Sequence, residues 1–274
     1  MQQGIISKEF FIGRYIYLTD TLRELPLVTY NRNGSYPVIS IRQKDPITGK
    51  ITRRRISQSN PEWEIYKPVA DKRALLEKQL KHLLSAWKAE YTGSLEDLSS
   101  QYYINPNTVN VFDSMLWESL KSNENTYPMY SPVKHNGILM RSLFEVDVAD
   151  ILENMGIEYK YEAGLRLGPD VVVFPDFALN YPEYNRCGFM EALGGMNNFK
   201  YSKKNAWKLN NYFNAGIYPN RDLALIPGDE VYRPDHDTMR RVIGVMCDAM
   251  ARQYVVRRSD TDSGCDPRSP RVSI

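Results

Sequence analysis

Cysteine is scarce in this chain: Cys187, Cys247 and Cys265 are the only three in 274 residues, and none forms a C-x-x-C pair. That argues against both a disulfide framework and a structural zinc site. Histidine is equally sparse. His82, His135 and His236 form no H-x-x-x-H pair and sit beside no cysteine, and neither a G-x-S-x-G elbow nor a Walker loop is present. Long apolar runs are missing too. Val171 to Phe174 is among the longest, far short of the roughly 18 residues of a membrane span, and the N-terminus lacks the continuous apolar segment of a signal peptide. A cytoplasmic protein without a membrane partner is expected.

Charge is present in both signs but unevenly placed. Residues 1–70 carry eleven Lys/Arg against six Asp/Glu, whereas residues 141–230 carry nine against thirteen. A basic surface beside an acidic pocket suits a protein that holds phosphates with one part and a cation with the other. A solvated basic hairpin with no partner is the plainer alternative.

In the N-terminal part, Tyr36–Arg42 and Lys50–Ile56 read as a hairpin closed by a turn bearing Pro46 and Gly49. Its second strand carries Arg53, Arg54 and Arg55, candidate nucleic-acid contacts. A helix starts after Asn60-Pro61-Glu62 and runs to about Tyr91, with Leu76, Leu80, Leu83, Leu84 and Trp87 at helical spacing. A short helix around Val111–Leu120 and a polar, Pro-bearing stretch, Ser122–Asn136, follow. The pattern divides the chain into an N-terminal hairpin-and-helix module (1–130), a second domain (131–256) and a Ser-, Asp-, Arg- and Pro-rich tail (257–274) expected to be disordered.

The second domain reads as a helix from Phe144 to Met155 ended by Gly156, then strands at Ile157–Arg166, Val171–Leu179 and about Cys187–Leu193. A helix from Phe199 to Phe213, a buried strand at Leu223–Ile226 and a last helix, Asp237–Tyr254, complete it. Pro175, unable to donate to a ladder, should mark an edge or kink. Three features of this region carry chemistry: Phe174-Pro175-Asp176-Phe177, Phe189-Met190-Glu191 fifteen residues further on, and Arg141-Ser142-Leu143-Phe144-Glu145 at the helix start. An unpaired Glu191 between Met190 and Ala192 would cost several kcal/mol to bury, unless a cation or a lysine lies beside it.

That order, with Pro-Asp on the second strand and Glu on the third, resembles the PD-(D/E)XK, or restriction-endonuclease-like, nuclease superfamily. Further likenesses are the Arg-Ser-x-x-Glu helix start, the Gly156–Glu162 tract, and Glu191 through Tyr201, Lys204, Lys208 and Tyr212 to Gly216-Ile217. The resemblance covers residues 135–227. It implies an α/β fold with a core of helix, three-strand meander, helix and strand, preceded here by an α+β module. It further implies a metal-dependent endonuclease hydrolysing DNA phosphodiesters with Mg²⁺ or Mn²⁺. Asp176 and Glu191 would be the principal ligands and Glu145 an auxiliary one. Ser142 to Glu145 is also a capping box, and the two roles for Glu145 compete. The lysine normally found two residues after the second acid is replaced by Leu193, which can neither donate nor carry charge. Lys204 or Lys208, on the next helix with Lys200 at i, i+4, i+8, is the candidate substitute, and Arg141 a candidate phosphate contact. Leu193 keeps a second reading open: a catalytically silent nucleic-acid-binding or assembly protein that retains the fold. A homodimer or larger assembly is compatible with either.

Overall fold

The computed structural model describes residues 6–33, 36–45, 47–105, 112–228 and 232–258. The chain is mixed α/β. It begins with α1 (Lys8–Glu24), β1 (Leu27–Asn33), β2 (Tyr36–Lys44), β3 (Ile51–Ser57) and α2 (Trp63–Glu90). Next come α3 (Leu95–Ser99), β4 (Tyr102–Ile104), α4 (Ser114–Ser119), β5 (Val133–His135) and β6 (Ile138–Met140). The remainder is α5 (Leu143–Asn154), β7 (Glu158–Tyr161), β8 (Leu165–Arg166), β9 (Val172–Val173), β10 (Phe177–Tyr181), β11 (Arg186–Leu193), α6 (Phe199–Asn214), β12 (Leu223–Pro227), α7 (His236–Tyr254) and β13 (Val255–Arg257).

The expected hairpin is β2 and β3, and β1 adds a third antiparallel strand. Pro46 of its turn lies outside the described residues. Alternation along these strands puts Val28, Ile39, Ile41 and Ile56 on one face, where they pack with Trp63 and Ala70 of α2. The opposite face is open. It carries Arg53 and Arg55 of β3 and Arg42 of β2, all exposed.

A four-stranded sheet, ordered β12-β11-β10-β7, organises the second half. β7, β10 and β11 form an antiparallel meander, and β12 returns parallel to β11 after α6. The period of two on β11 sends Met190 into one core and Cys187 and Phe189 into another. The first core also holds Phe10, Leu83, Val148, Leu152, Ile243 and Met246, from α1, α2, α5 and α7. The second holds Trp117, Leu165 and Tyr212. Segments 1–130 and 131–256 therefore share one hydrophobic core. Pro175 falls in the break between β9 and β10, as a residue without an N–H should.

Two N-terminal elements, α1 and β1, have no counterpart in the sequence pattern. Phe10, Phe11, Ile12 and Leu18 of α1 are all buried, together with Gly13 and Arg14, so no clean polar stripe marks the helix. Arg14, 1% exposed, donates to Glu183 Oε2 at 2.7 Å and to the carbonyl of Gly156, tying α1 to the far end of the sheet. The polar stretch before residue 136 contains half of a ribbon, β5 with β6. Arg257 ends β13, which pairs with β4, while residues 259–274 of the expected tail, Cys265 included, lie outside the described residues. Cys187 and Cys247 are buried and free. Among the described residues no helix is long and apolar enough to cross a membrane.

Candidate functional site

The site lies on the face of the four-stranded sheet that α6 covers. Phe177 pairs with Met190 across the meander, so Asp176, one residue before β10, faces the same side as Glu191. Asp176 Oδ2 accepts from the backbone N–H of Ala192 at 2.7 Å, and the charges of Asp176 and Glu191 act on each other. Lys208 arrives from α6. Its Nζ stands 2.6 Å from Glu191 Oε2 and 3.9 Å from Asp176 Oδ1. Tyr212, one turn later and fully buried, donates its hydroxyl to Glu191 Oε1. Glu191 is 2% exposed, whereas the side chains of Asp176 and Lys208 keep 16% and 14%, so solvent meets the site on their side.

Glu145 stands at the N-terminus of α5, and both halves of the capping box form. Its Oε2 accepts from the N–H groups of Arg141 (2.7 Å) and Ser142 (3.0 Å) and from Tyr161 (2.9 Å). A carboxylate oxygen so occupied is a weak donor to a cation. Among the described residues no group of three or more His, Cys, Asp and Glu side chains is arranged to hold a metal ion. Asp176 and Glu191 remain as a two-carboxylate set.

The electrostatics are those of crowded acids. Burial pushes Glu191 up to about 8; Lys208 opposes the rise and Asp176 adds to it. Burial, then the charge of Asp176, pushes Glu145 up to about 7. Asp176 is raised by burial, against the pull of Lys208 and the Ala192 N–H. For Lys208 burial favours the neutral amine, but the charges of Glu191 and Asp176 outweigh it and raise its pKa. Two carboxylates, both raised, thus share one charged lysine. With both acids deprotonated, the carboxylates outnumber the lysine by one charge.

Glu162 is a site residue that the sequence reading passed over. It follows β7 directly, has φ +44 and is 3% exposed; its N–H donates to the Asp176 carbonyl at 3.1 Å. Left-handed backbone at a glutamate costs on the order of 1–3 kcal/mol. Arg141 Nε and Asn125 Nδ2 each meet its carboxylate at 2.6 Å. The only sequence signal was its place at the end of the Gly156–Glu162 tract.

The remaining candidates are dispersed. Arg141 spends its guanidinium on Glu162 and on the carbonyls of Tyr127 and Pro128. Lys204 lies over the Tyr127 ring, 4.8 Å from its centroid, and has no ion pair among the described residues. Arg54 is bound to Glu62 at 2.6 Å on the α2 side of its sheet. Arg53 reaches Ser40 Oγ at 3.2 Å on the other face, which it shares with Arg42 and Arg55. His135 meets Glu153 at 3.0 Å. A cleft of about 470 Å³, lined by Lys81, His82, Asn154, His236 and Arg240, is formed by α2, α5 and α7, away from the carboxylates.

No family model, curated protein or solved structure matches this chain.

Proposed function

We propose that the chain is a metal-dependent endonuclease that hydrolyses DNA phosphodiesters, built on a restriction-endonuclease-like core. The observation that carries this reading is Lys208. The side chain that the motif places two residues after the second acid is Leu193, on the same face of β11 as Glu191, and α6 covers that face. Lys208 contacts both acids from there, so a cation of the required charge stands where the strand supplies none.

Asp176 and Glu191 fit a hard divalent cation such as Mg²⁺ or Mn²⁺, because two neighbouring carboxylates, one buried and one partly exposed, share a single lysine and are both raised. Such an ion, when bound, acts as a Lewis acid on the phosphate and lowers the pKa of its water. The Ala192 N–H and the Tyr212 hydroxyl fix the orientation of the two carboxylates. Lys208 supplies positive charge where the phosphorane-like transition state gains negative charge. Glu162, with Arg141, holds the backbone of Asp176 in place. The open face bearing Arg42, Arg53 and Arg55 offers the sequence-independent phosphate contacts such a substrate needs.

Titrating Mn²⁺ into the wild type and Asp176→Asn, with plasmid nicking by the wild type and Glu191→Gln, tests the reading. Metal affinity lost in Asp176→Asn and nicking lost in Glu191→Gln are expected; equal nicking by both proteins would sink it. The second reading, a silent nucleic-acid-binding protein, draws on Leu193 and on the lack of a third free carboxylate among the described residues. It predicts DNA binding with no metal affinity.

A further inference from the structure

α6 has a second face that the site does not use. The helix contains Lys200, Lys203, Lys204 and Lys208 and no Asp or Glu. Lys208 and Tyr212 turn inward. At 100° per residue, Lys200, Lys203 and Lys204 all fall within about 60° of Trp207, on the outward side. All four are exposed, and Lys200 and Lys203 have no ion pair among the described residues. Trp207 is 54% exposed. The other three tryptophans, Trp63, Trp87 and Trp117, are 7%, 3% and 4% exposed, so the chain otherwise buries this residue type.

The stripe continues toward the carboxylates. Lys204 lies over Tyr127, itself 61% exposed, and the Tyr127 carbonyl is held by Arg141, whose guanidinium also binds Glu162 beside Asp176. Tyr201, 56% exposed, lies about 120° from Trp207 on the heading of Lys208 and stands outside this stripe. A run of exposed rings separated by lysines without ion pairs, with no acid among them, matches one chemistry closely. Bases present apolar faces for the rings and phosphates present charge for the lysines. A duplex hides its base faces inside the stack and cannot use the rings.

We infer that the outer face of α6, with Tyr127, is a track for an unpaired DNA strand, on which bases stack on Trp207 and Tyr127 while Lys200, Lys203 and Lys204 hold the phosphates. The inference rests on the nuclease reading for its direction toward Asp176 and Glu191, but its binding test does not need catalysis. The substrate is then single-stranded DNA, or a duplex with a frayed or displaced strand.

Because Trp207 is the one exposed tryptophan, its fluorescence reports on the track directly. In EDTA at low salt, a fifteen-nucleotide oligo-dT should quench it, and a fifteen-base-pair duplex should quench it far less. Trp207→Ala should weaken oligo-dT binding, followed by anisotropy, about tenfold, while Trp207→Phe retains most of it. Lys200→Ala with Lys203→Ala should reduce the salt slope of binding by about 0.7 for each lysine that contacts a phosphate. Unchanged oligo-dT affinity in Trp207→Ala, or no preference for the single strand, overturns the track. Oligo-dT binding and quenching without cleavage of any DNA in Mg²⁺ or Mn²⁺ removes the nuclease reading and leaves the track standing. Plasmid nicking without oligo-dT binding does the reverse.

Discussion

Replacing Glu191 by glutamine should change how stability depends on pH in a way that no surface carboxylate could. In the metal-free protein the Glu191 carboxyl is raised by burial from 4.5 to about 8. The unfolded chain releases this proton near 4.5 and the folded chain holds it to about 8, so between those values the folded state binds more protons. Its contribution to stability is fully present below pH 4.5 and is lost as pH climbs through 8. One pKa unit corresponds to about 1.4 kcal/mol, which makes the loss on the order of 4–5 kcal/mol for this group. Glutamine keeps the shape and can still accept the Tyr212 hydroxyl, but it has no proton to lose. Urea unfolding in EDTA from about pH 4.5 to 9 should show wild-type stability falling by several kcal/mol while Glu191→Gln stays much flatter. Excess Mn²⁺ should restore wild-type stability at about pH 8 more than at about pH 5, by mass action on a site whose ligands must be deprotonated. Superimposable profiles for the two proteins would refute the buried-acid reasoning.

Other expectations follow from the same structure. Arg14→Met strands Glu183, 7% exposed, among apolar neighbours and should lower unfolding free energy by about 3–5 kcal/mol in urea. Ser142→Ala removes the cap of α5 and should cost about 1 kcal/mol by the same assay. Tyr212→Phe removes one hydrogen bond to Glu191; a loss of about 1.5–3 kcal/mol at about pH 8 is expected, and Mn²⁺ affinity should fall with it. Moving the lysine back to the strand, as Leu193→Lys in a Lys208→Met background, should restore part of the nicking that Lys208→Met loses. A double variant as inactive as the single one would argue against equivalent roles for the two positions.

The meander and its flanking helices were legible because their local patterns agree with their burial. α5 shows a capping box, an apolar face and a terminal glycine, and β10 and β11 are joined by a short polar turn. α1 was not legible, since its buried face is broad and includes an arginine whose partner, Glu183, is 169 residues away. β5 hid in a polar, proline-bearing stretch and β6 just after it, because each is only three residues long. Within the site, the pairing of Asp176 with Glu191 was legible only as what the resemblance implies; the register of β10 on β11 sets them on one side of the sheet. The choice between Lys204 and Lys208 was not legible, because the two are one turn and only about 40° apart on the helix. The packing of α6 on the sheet separates them: Lys208 meets Glu191, and Lys204 meets Tyr127. Glu162 escaped because the expected strand Ile157–Arg166 ran through it and put it on the polar face with Glu158 and Lys160, whereas the chain leaves β7 at Tyr161 and turns left-handed at Glu162.

The central claim is that Lys208 replaces the missing strand lysine in a metal-dependent nuclease. Its most direct test is the rate of supercoiled-plasmid nicking in Mg²⁺ or Mn²⁺ by the wild type and Lys208→Met. Nicking by the wild type, and a rate lower by about 100-fold or more in the variant, is the predicted result. Equal rates in the two proteins, or no nicking by the wild type with either metal, would contradict it.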